Sequence, residues 1–108
     1  MRVLFHPEFP KDVRRFEAEY ARISEGLASR FRREVDEAVD AITSSPNSAG
    51  HFLNLGSSVV TELRRRSLRA FPFFVLYGIV EERLLFGAVI ASRSDPLTWL
   101  ARFRPEAR

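Results

Sequence analysis

The sequence predicts an α+β fold: an N-terminal strand and a helical hairpin packed on an antiparallel sheet, with a short C-terminal helix. Three observations carry this. Apolar residues recur at helical spacing twice between residues 9 and 42. From Val59 onward the apolar pattern changes to strand-length runs rich in Phe, Val, Ile and Leu. The runs 73–80 and 84–92 are separated only by Glu81, Glu82 and Arg83, a connection so short that the two strands must be antiparallel neighbours.

Taken in order, residues 2–5, RVLF, read as a short strand. Phe9, Val13, Phe16, Tyr20 and Ile23 then fall on one face of an amphipathic helix. Pro7 suits its first turn, Pro10 is tolerable so early in the helix, and Glu8 and Asp12 suit the positive end of the helix dipole. SEG at 24–26 breaks it. A second stripe follows at Leu27, Phe31, Val35, Ala38 and Ile42, with Arg30, Arg32, Arg33, Glu34, Asp36, Glu37 and Asp40 on the wet face, and SSPN at 44–47 ends it. Residues 48–58 read as a loop by composition. Strands are expected over 59–66, 68–71, 73–80 and 84–92, with a bend at Pro72. Asp95 and Pro96 mark a helix start, and Leu97, Trp99, Leu100 and Phe103 would anchor that helix.

Strands 73–80 and 84–91 are apolar on both faces. Phe73, Val75, Tyr77 and Ile79 point one way and Phe74, Leu76 and Val80 the other. The helical hairpin covers one face only. The last helix, a second copy or a partner chain must cover the other, which is a first hint of a binding partner.

The 108 residues are read as a single domain, 1–108, with 45% hydrophobic residues, ten of them Phe, enough for a core without staples. No cysteine is present, which removes disulfides, thiolate metal sites and cysteine nucleophiles. No secretory leader or membrane span is expected, and the composition suits the cytoplasm. No repeat or low-complexity tract is visible. The net charge of +3 is uneven: residues 1–56 carry −1 and residues 57–108 carry +4. Lys11 is the sole lysine among seventeen basic residues. A GC-rich genome accounts equally well for that bias, but not for the clustering in the second half.

His6 and His51 are far apart and lack carboxylate neighbours at ligand spacing, so no metal and no cofactor is expected. No glycine-rich phosphate loop and no nucleophile-elbow motif occurs. The arginines remain. In RRRSLR at 64–69, Arg65 faces away from Arg64 and Arg66. If the sheet brings Arg64 or Arg66 near Arg69 and Arg93, a basic concave patch results, with Arg102 and Arg104 further along. The plainer alternative is a solvated edge, its charges paired with Glu62, Glu81 and Glu82 and blocking edge-to-edge association.

Three segments resemble, in order, motifs of the RelE/ParE superfamily of bacterial toxins: VLFHPEFPKDV at the start, RSLRAFPFFVLYGIV in the middle and AVIASRSDPLTWLAR near the end. The resemblance spans nearly the whole chain. It implies a type II toxin held inactive by a cognate antitoxin, as a homodimer or a toxin–antitoxin heterotetramer, with no membrane partner. RelE-like members cleave mRNA in the ribosomal A site and ParE-like members inhibit DNA gyrase. This chain departs from the nuclease pattern. Ala91 stands where many members carry His, the lone lysine lies at the other end of the sequence, and the tail holds no Tyr or His. Arg69 and Arg93 would be the phosphate-stabilising residues of a nuclease, but no general base is evident beside them. The resemblance is therefore closer to ParE, with Arg64, Arg66, Arg69 and Arg93 as the target-binding set.

Overall fold

The computed structural model describes residues 1–53 and 62–103, together with the side chains of those residues except positions 51–53, 62, 97 and 100. Among the described residues, five strands and two helices follow one another as β1 (Arg2–Phe5), α1 (Glu8–Ala21), α2 (Glu25–Ser44), β2 (His51–Leu53), β3 (Glu62–Ser67), β4 (Phe73–Val80) and β5 (Arg83–Ala91), and a 3₁₀ helix spans Pro96–Phe103. The loop expected over 54–58 and the expectations for Val59 to Thr61, for Arg104 and for the side chains of Glu62, Leu97 and Leu100 fall outside the described residues.

The strands form one sheet in the order β1-β5-β4-β3-β2. β3, β4 and β5 are antiparallel, as the tight connection demands, while β1 runs parallel to β5, so the sheet is mixed. β1 reaches that edge because the whole helical hairpin lies between it and the sheet's other strands, which is the long crossover a parallel pair needs. Two local readings are corrected. Residues 51–53, read as loop, form β2 and pair with Leu63–Arg65, an edge strand too short to show a period. Residues 68–71, read as a strand, form a bend. Phe73 N donates to the Phe71 carbonyl (2.8 Å), a γ-turn centred on Pro72, whose fixed φ suits it.

α1 begins without a side-chain cap on Pro7, and His6 does the capping: its Nδ1 accepts from the Glu8 amide (3.1 Å). α2 begins on Ser24, whose Oγ accepts from the Leu27 amide (3.0 Å). That cap ends α1 at Ala21, so Ile23 is not on the buried stripe but 71% exposed. The other stripe residues pack on one face of the sheet, where Phe9, Val13, Phe31, Val35, Ala38 and Ile42 meet Phe73, Val75, Tyr77, Leu84, Phe86 and Val89.

The second apolar face is covered by the chain itself. Phe103 is fully buried among Leu63, Phe74, Leu76, Leu85, Ala88 and Ile90, and Trp99 packs beside them. Of the three covers the sequence left open, the last helix is the one observed. A bulge makes it fit. Leu76 pairs with Ala88 and Tyr77 with Phe86, leaving Gly87 unpaired, so side-chain alternation along β5 flips there. A Cβ on Gly87 would collide with the Phe103 ring, so only glycine admits that ring. Among the described residues no helix is long and apolar enough to cross a membrane.

The β4–β5 turn places both Glu81 and Glu82 in left-handed backbone, with φ of 52° and 63°. A two-residue hairpin turn requires this, and Asn-Gly is the usual solution. Glu82→Gly is expected to raise stability by about 1 kcal/mol, the cost of a non-glycine residue in that region. A lowered urea midpoint would show that the glutamate side chain contributes more than its backbone costs.

Candidate functional site

Arg64 and Arg66 lie opposite Tyr77 and Val75, so both point to the helix side of the sheet. Each is half-buried and holds the chain that leads into β2. Arg64 Nη1 donates to the Gly50 carbonyl (3.1 Å) and Arg66 Nη1 to the Ala49 carbonyl (2.6 Å). The Tyr77 hydroxyl donates to the Pro46 carbonyl (3.3 Å) in the same place. Gly50 sits so close that a Cβ would meet the Tyr77 hydroxyl and the Arg65 carbonyl at 2.5 and 2.6 Å. Arg65 points to the opposite face and its guanidinium lies over the Phe74 ring, 5.2 Å from the centroid. This explains the run of three arginines beside an apolar strand. They fasten and cover neighbouring structure with charged heads whose stems are apolar.

Arg69 and Arg93 sit at the other level of the site. Leu68 N donates to the Phe73 carbonyl (2.9 Å) and Ser92 N to the Pro72 carbonyl (2.9 Å), so the 68–72 bend and the turn after β5 lie side by side at one end of the sheet. Both arginines are exposed there. The Arg69 side chain is 77% exposed and pairs with Glu37 of α2 (3.0 Å). Its backbone is held separately: Glu34 Oε1 accepts from the Arg69 and Ala70 amides (2.8 and 3.0 Å). Arg93 lines a shallow depression of about 390 Å³ with Pro72, Phe73, Ala91 and Ser92. The expected countercharges Glu81 and Glu82 are at the opposite end of β4, and α2 supplies the acids instead. The four arginines thus divide into a half-buried pair under the sheet and an exposed pair at its end.

Other polar groups lie elsewhere. Tyr20 is near the bend, its ring 4.9 Å from that of Phe71, and burial, with Glu19 adding to it, raises its phenol above the usual value. Lys11 pairs with Glu8 (2.9 Å) near the start of α1, nine residues or about 13 Å of helix from Tyr20.

At that corner the structure shows a constellation the sequence reading missed. Asp12, only 6% exposed, accepts from Arg102 Nη1 (2.8 Å) and from the Val89 amide (3.2 Å), and Arg102 also donates to the Gly87 carbonyl (2.9 Å). The signal was Asp12's place beside Val13 and three residues after Phe9. A carboxylate on the inner stripe of a helix must find a partner. His6 lies nearby, and burial, then the Arg102 charge, lower its pKa below the ordinary 6.5 against the opposing pull of Glu8 and Asp12. The folded chain therefore binds fewer protons at His6 than the unfolded chain. Its contribution to stability is complete above the unfolded value and falls as pH drops through about 6.5, levelling off below the lowered folded value. Urea midpoints are expected to fall between pH 7.5 and 5.5, and His6→Asn to flatten that slope. An unchanged slope in the variant would place the titration on another group.

No family model matches the chain, and no curated protein matches it by sequence. Its fold is that of a chain in the structure of the chromosomal ParDE TA system from P. aeruginosa. The TM-score is 0.68 over 84% of this chain and 95% of that one, at 15% sequence identity. The expected α+β architecture of the RelE/ParE type is thus the fold of this chain.

Proposed function

We propose that the chain is the toxin of a type II toxin–antitoxin module, held inactive by a cognate antitoxin and acting in the cytoplasm by binding DNA gyrase. The reading rests first on the fold shared with a chain of a TA system, joined to three motifs in the expected order. Arg69 and Arg93 are the contact residues on this reading, and Arg64 and Arg66 hold the scaffold under them. The brace fixes the backbone from which Arg69 projects, and its guanidinium offers a planar fork to carboxylate or phosphate.

Expression of the chain without an antitoxin is expected to arrest growth. Arg69→Ala and Arg93→Ala are expected to abolish arrest while changing stability by no more than about 0.5 kcal/mol, because neither side chain is buried. With purified components, gyrase supercoiling should fall and ribosome-bound mRNA should stay intact. Clean A-site cleavage would make the chain a ribosome-dependent endoribonuclease instead. The absence of any growth arrest would leave a basic interaction domain.

A further inference from the structure

The two α2 carboxylates at Arg69 are not equivalent. Glu34 is half-buried and one of its oxygens takes two consecutive backbone amides, those of Arg69 and Ala70. Consecutive amides that converge on one anion form a nest, and removing the anion orphans both donors at once. Among the described residues Glu37 takes no backbone donor. It is 49% exposed and, among those residues, pairs with the Arg69 guanidinium alone, itself 77% exposed. Glu34 is a clamp on the bend, whereas Glu37 is a weakly held occupant of a guanidinium that faces solvent. An exposed pair of this kind contributes little, so exchange for another anion is cheap.

We propose that Glu37 is an internal competitor at a carboxylate-binding site, and that an acidic side chain of a protein partner docks at Arg69 by displacing it. The proposal rests on the reading that Arg69 belongs to the contact surface. The chemistry of the ligand follows from what already sits there. The observed occupant is a carboxylate, and beside it lies a small recess of about 40 Å³ bounded by Glu34, Glu37, Ala38 and Arg66 to Arg69. Two glutamates at the rim oppose the repeated charge of a nucleic-acid backbone, whereas one acidic side chain entering as Glu37 swings out leaves the local charge unchanged.

The test is fluorescence anisotropy with a labelled Glu–Ser repeat peptide, and with a labelled single-stranded oligonucleotide of equal charge as comparator. Glu37→Gln keeps the shape of the side chain and removes the competing charge. It is expected to tighten peptide binding by about two- to fivefold, the equilibrium equivalent of an exposed ion pair. In an Arg69→Ala background the same change should have no effect. The proposal is overturned if the peptide binds neither protein, if Glu37→Gln leaves its affinity unchanged, or if the gain persists without Arg69. An equal or larger gain for the oligonucleotide overturns the acidic-peptide assignment in favour of a nucleic-acid backbone. Failure here is separable from failure of the toxin reading. A chain that arrests growth but ignores Glu37→Gln loses only the exchange, and a chain that shows the gain without arresting growth loses only the toxin assignment.

Discussion

Phe31→Ala is expected to destabilise the chain by about 3–5 kcal/mol, the range for truncating a buried aromatic side chain. Phe31 is fully buried, and its ring meets four others: Phe16 at 6.4 Å, Tyr20 at 5.4 Å, Phe71 at 5.5 Å and Phe73 at 5.4 Å between centroids. Three of these pairs are edge-on or close to it, the arrangement that adds to simple burial. The neighbours come from α1, from the 68–72 bend and from β4, so the cavity cannot be closed by moving one element. For a chain of this size the loss corresponds to a fall in melting temperature of roughly 15–25 °C. Phe31→Leu, which keeps much of the volume, should cost clearly less. A melting curve unchanged by Phe31→Ala would show that the second helical stripe does not form the core. The effect also reaches the site: Phe71 packs on Phe31 two residues after Arg69, so the variant should weaken any interaction that depends on the braced bend.

That core was legible in the sequence because two stripes and two strand-length runs repeat a period several times each. Repetition averages out local exceptions. Single events were not legible. Ile23 fits the spacing of its stripe, but the Ser24 cap ends the helix two residues before it. The bulge at Gly87 is one extra residue, yet it moves Ala88 and Ile90 to the face opposite the one that simple alternation from Leu84 and Phe86 assigns them. The 3₁₀ helix was visible as a helix start, but its role as cover depends on a glycine that shows its meaning only when Phe103 is in place.

The site was legible in composition and less so in arrangement. The alternation of Arg64, Arg65 and Arg66 across β3 follows from the pleat alone and is observed. What Arg64 and Arg66 reach could not be read, because their acceptors are backbone carbonyls of Ala49 and Gly50, which carry no side-chain signature. Glu34 and Glu37 stood in the sequence as ordinary wet-face residues. Their meaning depends on where a bend thirty-odd positions later comes to rest, and a contact of that range leaves no trace in local periodicity.

Asp12 is the residue whose role was furthest from its local reading, and Asp12→Ala is expected to cost about 3 kcal/mol, the lower end for breaking a buried ion pair because Arg102 keeps some contact with water. The substitution does three things at once. It leaves the Val89 amide, on a buried stretch of β5, without its acceptor. It leaves the Arg102 guanidinium, whose side chain is 19% exposed, with the Gly87 carbonyl as its remaining partner among the described residues. It also unties α1 from the 3₁₀ helix that covers the second face of the sheet. Asp12→Ala with Arg102→Met removes both charges and keeps an apolar stem, so it should be less destabilised than the sum of the single changes, as for other buried pairs exchanged for apolar groups. The cycle is read from urea midpoints, with binding of a dye that reports exposed apolar surface as a second signal. Dye binding should rise in Asp12→Ala, because a loosened 3₁₀ helix uncovers Phe74, Leu76 and Ile90. Strictly additive single and double changes with no rise in dye binding would mean that the pair neither couples the two elements nor holds the cover in place.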